Sequence, residues 1–176
     1  MIDYNSIYGP GDYQNGETTV VVEIPEGSRH KIEYNRELKT FELDRVEPAI
    51  FTKPCNYGFI PATLDEDGDE LDVLLVAGES LPLGVVVHAR IIGVLNFEDD
   101  GEMDHKVICV VSDDRDANAH IKSVDDLGEQ WKQKVEYHFN HYKDLRKPGS
   151  TEVQGFGNIE HAKTIIGECV KRWEQQ

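Results

Sequence analysis

The segment LDEDGDELDVLLVA at residues 64–77 concentrates acidic side chains just before an apolar run. Its four aspartates on either side of Gly68 are Asp65, Asp67, Asp69 and Asp72. Carboxylates this close repel one another, and a bound cation relieves that repulsion. Hard oxygen ligands suit Mg²⁺, Ca²⁺ or Mn²⁺ better than Zn²⁺. A solvated acidic turn also explains the segment, so its spacing alone leaves both interpretations open.

Two more specific kinds of metal site can be tested by their spacing. An EF-hand loop that starts at Asp65 fails, because Glu70 stands where Gly is needed and Val76 stands where Glu is needed. His138 and His141 share a helix face, so a zinc pair is conceivable, but no other histidine or cysteine arrangement completes a ligand set. The acidic segment remains the stronger candidate.

A second acidic segment, FEDDGEMDHKV at residues 97–107, lies between two strand-like stretches. It offers Asp99 and Asp104 as cation ligands and Lys106 as an anion-binding group. Asp-Asp-Gly also favours turns whatever the function. In isolation the segment is therefore best interpreted as a hairpin turn.

Charged side chains also interrupt the strand-like segments. Glu23 stands inside VVVEIP, and Arg45 follows an alternating stretch. Lys31 and Glu33 are two residues apart, so they share one face of a strand. Such charges are ordinary on an antiparallel sheet with one solvated face, so none is specific by itself.

Two further segments could present polar groups to a ligand. KPCNYGFIP at residues 53–61 predicts a rigid loop, shaped by its prolines and glycine, that presents Asn56 and Tyr57. Tyr142 and Lys143 stand near the end of a predicted helix, where the helix dipole already favours a lysine.

Length, charge and cysteine usage exclude several classes of protein. The 176 residues fit one domain, and 39% hydrophobic residues can form a core. A formal net charge of -16 opposes binding to nucleic acids or anionic membranes. No signal peptide and no membrane-spanning run is visible. Three widely spaced cysteines predict free core thiols and a reducing, cytoplasmic compartment: Cys55, Cys109 and Cys169.

The elements that must position these groups change along the chain. Residues 1–17 predict an irregular lead-in. Strands are predicted at 18–24, 30–35, 38–44, 71–77, 85–95 and 105–111, with a bulge or bend at Gly93. Ser123 and Asp126 predict the cap of a helix that Pro148-Gly149 ends, and a second helix starts near Asn158. Strands first and helices last predict an α+β, mainly β fold, in which two C-terminal helices pack outside a barrel of about five strands.

Together these segments resemble the soluble inorganic pyrophosphatases of the single-domain, prokaryotic type. The resemblance runs from about Val20 to Trp173. Seven motifs occur in the family's order: VVEIP, KIE, DR, PCNYGF, DGDELD, a DDGEMDHK-like turn and HYKDL. One motif would be suggestive, but seven in order are specific. The resemblance implies one domain over residues 1–176, folded as an OB-like closed or partly open barrel.

The resemblance also implies a role for each site residue. Asp69 would act as the base that helps deprotonate the attacking water. The metal ligands would be Asp67, Asp72, Asp99, Asp104, Glu33 and Glu23, the last as part of the same acidic cavity. The groups that contact phosphoryl oxygens would be Lys31, Arg45, Tyr57, Lys106, Tyr142 and Lys143.

The implied reaction is hydrolysis of pyrophosphate to two orthophosphates, by in-line attack of a metal-bridging hydroxide without a covalent intermediate. Pyrophosphate is a polyanion, so Mg²⁺ must bridge it to the carboxylates, and two close metal ions can activate water near neutral pH. Mn²⁺ could substitute and Ca²⁺ would inhibit. The family further implies a homohexamer. The acidic excess predicts a halophilic source whose enzyme needs high salt.

One residue departs from the family pattern. Lys53 stands where bacterial members commonly carry Tyr just before PCNYG. The phenol of those members is therefore absent at this position. Lys53 either replaces it as a cation or points to solvent.

Three other functions each explain part of the sequence. An acidic barrel holding structural calcium explains the aspartates but gives no purpose to Lys31, Arg45, Lys106 or Lys143. An OB-type nucleic-acid binder conflicts with the net charge of -16. A phosphohydrolase acting on nucleotides lacks an evident motif for stacking a base.

Overall fold

The computed structural model describes residues 2–115 and 118–176, so Met1 of the predicted lead-in lies outside the described residues. The strands are β1 Glu17–Ile24, β2 His30–Asn35, β3 Thr40–Val46, β4 Asn56–Phe59, β5 Asp72–Val76, β6 Val86–Asp99, β7 Glu102–Met103, β8 Lys106–Val111 and β9 Thr151–Gly157. The helices are α1 Tyr4–Ile7, α2 Glu129–His141 and α3 Ile159–Glu174, with 3-10 turns at Tyr13–Asn15 and Val124–Leu127.

Five of these strands close into a barrel. β1 pairs with β4, β4 with β5, β5 with β8 and β8 with β6, and β6 returns to β1. The β5–β8 pair is parallel and the other four pairs are antiparallel. β7 and β9 add to β6, while β2 and β3 form a separate hairpin. The predicted mainly β barrel is confirmed in its closed form.

The barrel strands are buried on both faces. Val73 and Val107 belong to a core shared with α3, whereas Leu74 and Ile108 belong to a core shared with α2. Successive side chains of a strand point to opposite faces, so the two sets belong to different cores, one with side chains of α3 and one with side chains of α2. This explains why these strands are continuous apolar runs, and it confirms the two helices packed against the barrel.

Strand β4 corrects the expectation that KPCNYGFIP is a loop. Asn56–Phe59 lie between β1 and β5 in the barrel wall. A Cβ atom at Gly58 would lie 1.9 Å from the carbonyl oxygen of Val21. Only glycine therefore allows the two backbones to approach this closely, and the close approach fixes the neighbouring Tyr57 in the barrel.

The other boundaries follow the sequence with several differences. The lead-in contains α1 and a 3-10 turn, β7 and β9 have no predicted counterpart, and α2 ends at His141, before Pro148. Ser123 and Asp126 cap a 3-10 turn, which Gly128 separates from α2. The register shift between Ile91 and Gly93 confirms the predicted bulge, and Asn158 caps α3 as expected. In the part of the chain that the structure describes, no helix is long and apolar enough to span a bilayer.

Candidate active site

A cavity of about 850 Å³ opens where several barrel strands begin or end. It lies beside the β2–β3 hairpin, the acidic segment before β5 and the C-terminal end of α2. All thirteen site residues named from the sequence line it: Glu23, Lys31, Glu33, Arg45, Tyr57, Asp67, Asp69, Asp72, Asp99, Asp104, Lys106, Tyr142 and Lys143. The fold therefore brings together residues that are up to about 120 positions apart in the chain.

The acidic segment before β5 forms a tight turn held by its own backbone. The Asp65 N–H donates to the Asp69 carbonyl at 2.7 Å, and the Gly68 N–H donates to the Asp65 carbonyl at 3.2 Å. The Asp69 N–H also donates to Asp67 Oδ1 at 3.0 Å. Gly68 has φ +93°, a conformation that favours glycine. The turn leaves the side chain of Asp69 79% exposed, so its carboxylate meets the solvent of the cavity.

Lys106 connects the two acidic segments. Its Nζ donates to Asp72 Oδ2 at 2.5 Å and also to Asp104 Oδ1. The Tyr57 hydroxyl donates to the same oxygen of Asp72. The Lys106 side chain is 3% exposed, whereas those of Asp72 and Asp104 are 24% and 22% exposed. The lysine is therefore enclosed while both carboxylates still face the cavity.

The charges of this group follow from their partners. Burial opposes the charge on Lys106, but Asp72 and Asp104 outweigh it and raise the pKa of the lysine. Burial likewise opposes the charge on Asp72, but Lys106 and Lys31 outweigh it and lower the pKa of that carboxyl. For Asp104 burial prevails over Lys106, so its pKa is raised. One lysine does not neutralise both acids.

Three further basic groups of the cavity, Lys143, Lys31 and Arg45, are also paired with acids. Lys143 Nζ lies 2.5 Å from Asp99 Oδ2, and the Tyr142 hydroxyl donates to the same oxygen at 3.3 Å. Across the cavity, Lys31 Nζ lies 2.9 Å from Glu33 Oε1. The hairpin register places Lys31 opposite Arg45, which contacts acids of its own segment: Asp44 at 2.5 Å and Glu47 at 2.6 Å.

Arg36 is a cavity residue that the sequence did not reveal. Its guanidinium donates to the Gly68 carbonyl and lies 3.8 Å from Asp69 Oδ1. Its Cζ stands 5.9 Å from the ring centroid of Trp173 in α3. In sequence Arg36 belongs to the turn NREL between β2 and β3, which has the composition of an ordinary solvated turn. Only the folded structure shows that it holds the aspartate turn.

The histidine pair on α2 does not form a zinc site. His138 is buried, and its ring stacks on Tyr142 with centroids 5.8 Å apart and planes at 7°. His141 instead contacts Asp144, with Nδ1 at 2.7 Å from Oδ2. The two rings therefore have separate partners.

The donor set of the cavity fits a hard divalent cation. Burial and the charge of Asp72 raise the pKa of Glu23 to about 8, and burial and Asp67 raise the pKa of Asp69. These shifts indicate more carboxylates than the lysines and arginines neutralise. Among residues 2–115 and 118–176, no three His, Cys, Asp or Glu side chains already converge as a metal cage. The oxygens suit Mg²⁺, which is bound through few carboxylates and keeps several waters.

Carboxylates gathered beside lysines at the ends of barrel strands are suited to a metal-dependent enzyme that acts on phosphate groups. The sequence model of the family described as inorganic pyrophosphatase matches residues 20–174, and the chain belongs to this family. The match confirms the resemblance drawn from the seven motifs.

Individual relatives agree over the whole length. The chain is 57% identical to an inorganic pyrophosphatase of Neisseria meningitidis serogroup B, with 100% of this chain and 99% of the relative covered. It is 56% identical to an inorganic pyrophosphatase of Haemophilus influenzae, with both chains fully covered. The crystal structure of an inorganic pyrophosphatase from Neisseria gonorrhoeae superposes with a TM-score of 0.96 at 56% identity, covering 98% of this chain and 99% of that one. The halophilic source expected from the acidic excess finds no support in these comparisons.

Proposed function

We propose that this chain hydrolyses inorganic pyrophosphate to two orthophosphates, with Mg²⁺ as its cofactor. The observation that carries the proposal is that all thirteen acidic, basic and tyrosine side chains line one cavity. Carboxylates alone would attract cations and lysines alone would attract anions, whereas the combination suits a complex of metal ions with a polyanion. The names of the relatives support pyrophosphate as that polyanion.

Six carboxylates are assigned as ligands of the metal ions. They are Asp67, Asp72, Asp99, Asp104, Glu33 and Glu23. Divalent ions bound there would lower the pKa of a water molecule and neutralise charge on the phosphoryl groups. Mn²⁺ is expected to substitute, and Ca²⁺ to inhibit, because Ca²⁺ takes more ligands at longer distances.

Asp69 is assigned as the base that accepts a proton from the attacking water. Its carboxylate faces the cavity, and its raised pKa makes it a better base than a free aspartate. The water oxygen forms a bond to one phosphorus atom while its proton passes to Asp69. The bridging P–O bond breaks and its electron pair stays on the leaving phosphate, so no covalent enzyme intermediate is needed.

The basic and hydroxyl groups are assigned to the phosphoryl oxygens. They are Lys31, Arg45, Tyr57, Lys106, Tyr142 and Lys143. The negative charge on the leaving phosphate grows as the bond breaks, so cations fixed around the cavity stabilise the transition state more than the substrate.

The decisive experiment is phosphate release from pyrophosphate by the purified protein in Mg²⁺, in EDTA and in Ca²⁺. Fast release in Mg²⁺, abolished by EDTA and suppressed when Ca²⁺ replaces Mg²⁺, is expected. No release from protein shown to be folded by circular dichroism would falsify the proposal. A rise in melting temperature with Ca²⁺ in such a protein would favour the calcium-holding barrel instead.

The organisation of the enzyme belongs to the same proposal. We infer one domain over residues 1–176, a homohexamer, and a cytoplasmic location without nucleic-acid or membrane partners. The buried free thiols of Cys55, Cys109 and Cys169 agree with a reducing compartment. Sedimentation velocity of the purified protein measures the oligomeric state directly, and a monomer at micromolar concentration would contradict the hexamer.

A further inference from the structure

Lys53 is a buried lysine in the wall of the cavity. The residue is 9% exposed and lines the same cavity as Tyr57 and Lys106, so it does not point to bulk solvent. Its backbone is held on both sides: its N–H donates to the Ser28 carbonyl at 2.8 Å, and its carbonyl accepts from the Gly27 N–H at 3.0 Å. The fold therefore fixes the backbone from which the Lys53 side chain enters the cavity.

Three ammonium groups surround the ring of Tyr57. The Nζ of Lys53 lies 4.2 Å from the ring centroid, and those of Lys31 and Lys106 each lie 5.9 Å from it. Lys53 Nζ also lies 5.6 Å from the ring centroid of Phe139. Aromatic faces attract cations, but each contact is weak beside an ion pair. The two rings therefore stabilise the ammonium group of Lys53 without neutralising its charge.

Lys53 differs from the other cations of the cavity in its partners. Lys31, Lys106 and Lys143 each contact a carboxylate, and Arg36 and Arg45 do so as well. For Lys53, no ion pair to an acid is found among residues 2–115 and 118–176. Burying an ammonium group without a carboxylate partner costs free energy. The surroundings of Lys53 Nζ therefore lack a compensating negative charge.

We infer that Lys53 binds a phosphoryl oxygen of pyrophosphate and of product phosphate, together with Lys31 and Lys106. The inference rests on the proposed function and adds a specific phosphate ligand to it. An anion bound among the three ammonium groups supplies the negatively charged partner that Lys53 does not have in the protein alone. Tyr57 then serves as the platform against which the three lysines are arranged.

The electrostatic surroundings support this assignment. Burial, followed by the charges of Lys31 and Lys106, lowers the pKa of Lys53 to about 7. The titratable groups that face it come from several elements: Lys31 of β2, Glu47 after β3, Tyr57 of β4, Asp72 of β5, Lys106 of β8, and His138 and Tyr142 at α2. A bound polyanion favours the charged form of this lysine, which the protein by itself disfavours.

The test compares charge with packing at position 53. Lys53→Met keeps an apolar stem of similar length without the charge, and Lys53→Arg keeps the charge. Lys171→Met, at an exposed position of α3, is the matched control. Folding is checked by circular dichroism, and Lys53→Gln replaces Lys53→Met if the latter does not fold. Steady-state kinetics with Mg²⁺ and pyrophosphate, and calorimetric titration with inorganic phosphate in Mg²⁺, are measured for each variant.

For Lys53→Met we expect the Kd for phosphate and the KM for pyrophosphate to rise about 10- to 100-fold, as for loss of a hydrogen bond to a charged group. Lys53→Arg should recover at least part of the loss, and Lys171→Met should match the wild type. Unchanged Kd and KM in folded Lys53→Met, or equal losses in the Met and Arg variants, would overturn the assignment. Because calorimetry measures phosphate directly, it tests Lys53 even if the wild type releases no phosphate from pyrophosphate. A wild type that binds no phosphate overturns the role of Lys53 as well.

Discussion

Lys106 and Asp72 meet because two parallel strands begin side by side. Val73 of β5 is in register with Val107 of β8, so the residues just before them are neighbours at the cavity. The resulting contact joins Lys106 Nζ and Asp72 Oδ2 at 2.5 Å. Asp104, two residues before Lys106, reaches the same ammonium. A barrel register thus places a cation between two carboxylates.

The first prediction concerns this ion pair. Lys106→Met leaves Asp72 and Asp104 close together without their cation, and removal of one partner of a buried pair costs about 3 kcal/mol or more of unfolding free energy. Urea unfolding in EDTA should show that loss. Mg²⁺ should narrow the gap to the wild type, because a divalent ion can neutralise the two carboxylates.

The control for this prediction is an exposed pair of the same residue types. Lys147 contacts Asp100, and their side chains are 64% and 44% exposed. Lys147→Met should change the unfolding free energy by less than about 1 kcal/mol. Equal losses for the two variants would show that enclosure of Lys106 is not what makes its ion pair important.

The second prediction concerns Asp69. Its side chain is 79% exposed, and its ion pair to Arg36 spans 3.8 Å, so Asp69→Asn should leave the unfolding free energy nearly unchanged. The rate of pyrophosphate hydrolysis should fall by about 10²–10⁴, the usual loss for a removed general base. Mg²⁺ binding, followed by its effect on the melting temperature, should persist. A near-normal rate at every pH would remove Asp69 from the role of base.

The third prediction concerns Arg36, which links three parts of the fold. It contacts the Gly68 carbonyl and Asp69 in the aspartate turn, and Trp173 in α3, from the hairpin turn after β2. Arg36→Met should loosen the turn that carries Asp67. We expect about 10- to 100-fold weaker Mg²⁺ binding, as for other residues that orient metal ligands.

A second basic residue of the same turn provides the control for Arg36. Lys39 forms an ion pair with Asp3 at 2.8 Å, and its side chain is 46% exposed. Lys39→Met should keep the Mg²⁺ dependence of both activity and melting temperature. If Arg36→Met also keeps it, Arg36 is only a surface ion pair.

The sequence predicts the barrel strands well where their apolar pattern is continuous. β5 and β8 are short runs of Val, Leu and Ile, and both are found close to their predicted bounds. β4 and β9 were not predicted, because NYGF lies between prolines and TEVQGFG has only weak alternation. Both are strands because of partners distant in sequence: β4 fits between β1 and β5, and β9 pairs with the long β6.

The site follows the sequence only in part. The spacing of Asp67, Asp69 and Asp72 made them candidates for a cation site but did not distinguish that site from a solvated acidic turn; the seven motifs in order did. The contact of Asp99 with Lys143 could not be predicted, because it depends on how α2 and β6 pack; the family resemblance only placed both residues in one site. Arg36 could not be predicted from the sequence either, because nothing in the composition of a polar turn indicates that one of its side chains lines the cavity.

His138 is a buried titratable group beside the cavity, and it carries the last prediction. It is 7% exposed, its Nε2 has no hydrogen-bond partner among the described residues, and it packs against Phe51 and Tyr142. Burial, followed by Lys53 and Lys134, lowers its pKa from 6.5 to about 3. The native protein therefore holds this ring neutral where an unfolded chain would protonate it.

The neutral ring of His138 should make the folded protein less stable at low pH. Above pH 6.5 neither state protonates His138, but at lower pH the unfolded state gains a proton that the native state refuses, so stability falls as the pH falls. Between pH 7 and pH 5 the wild type should lose about 2 kcal/mol more unfolding free energy than His138→Phe, measured by urea unfolding in EDTA. His30→Phe, at an exposed position of β2, should follow the wild type. Parallel pH curves for the wild type and His138→Phe would mean that the buried ring accepts a proton in the native state.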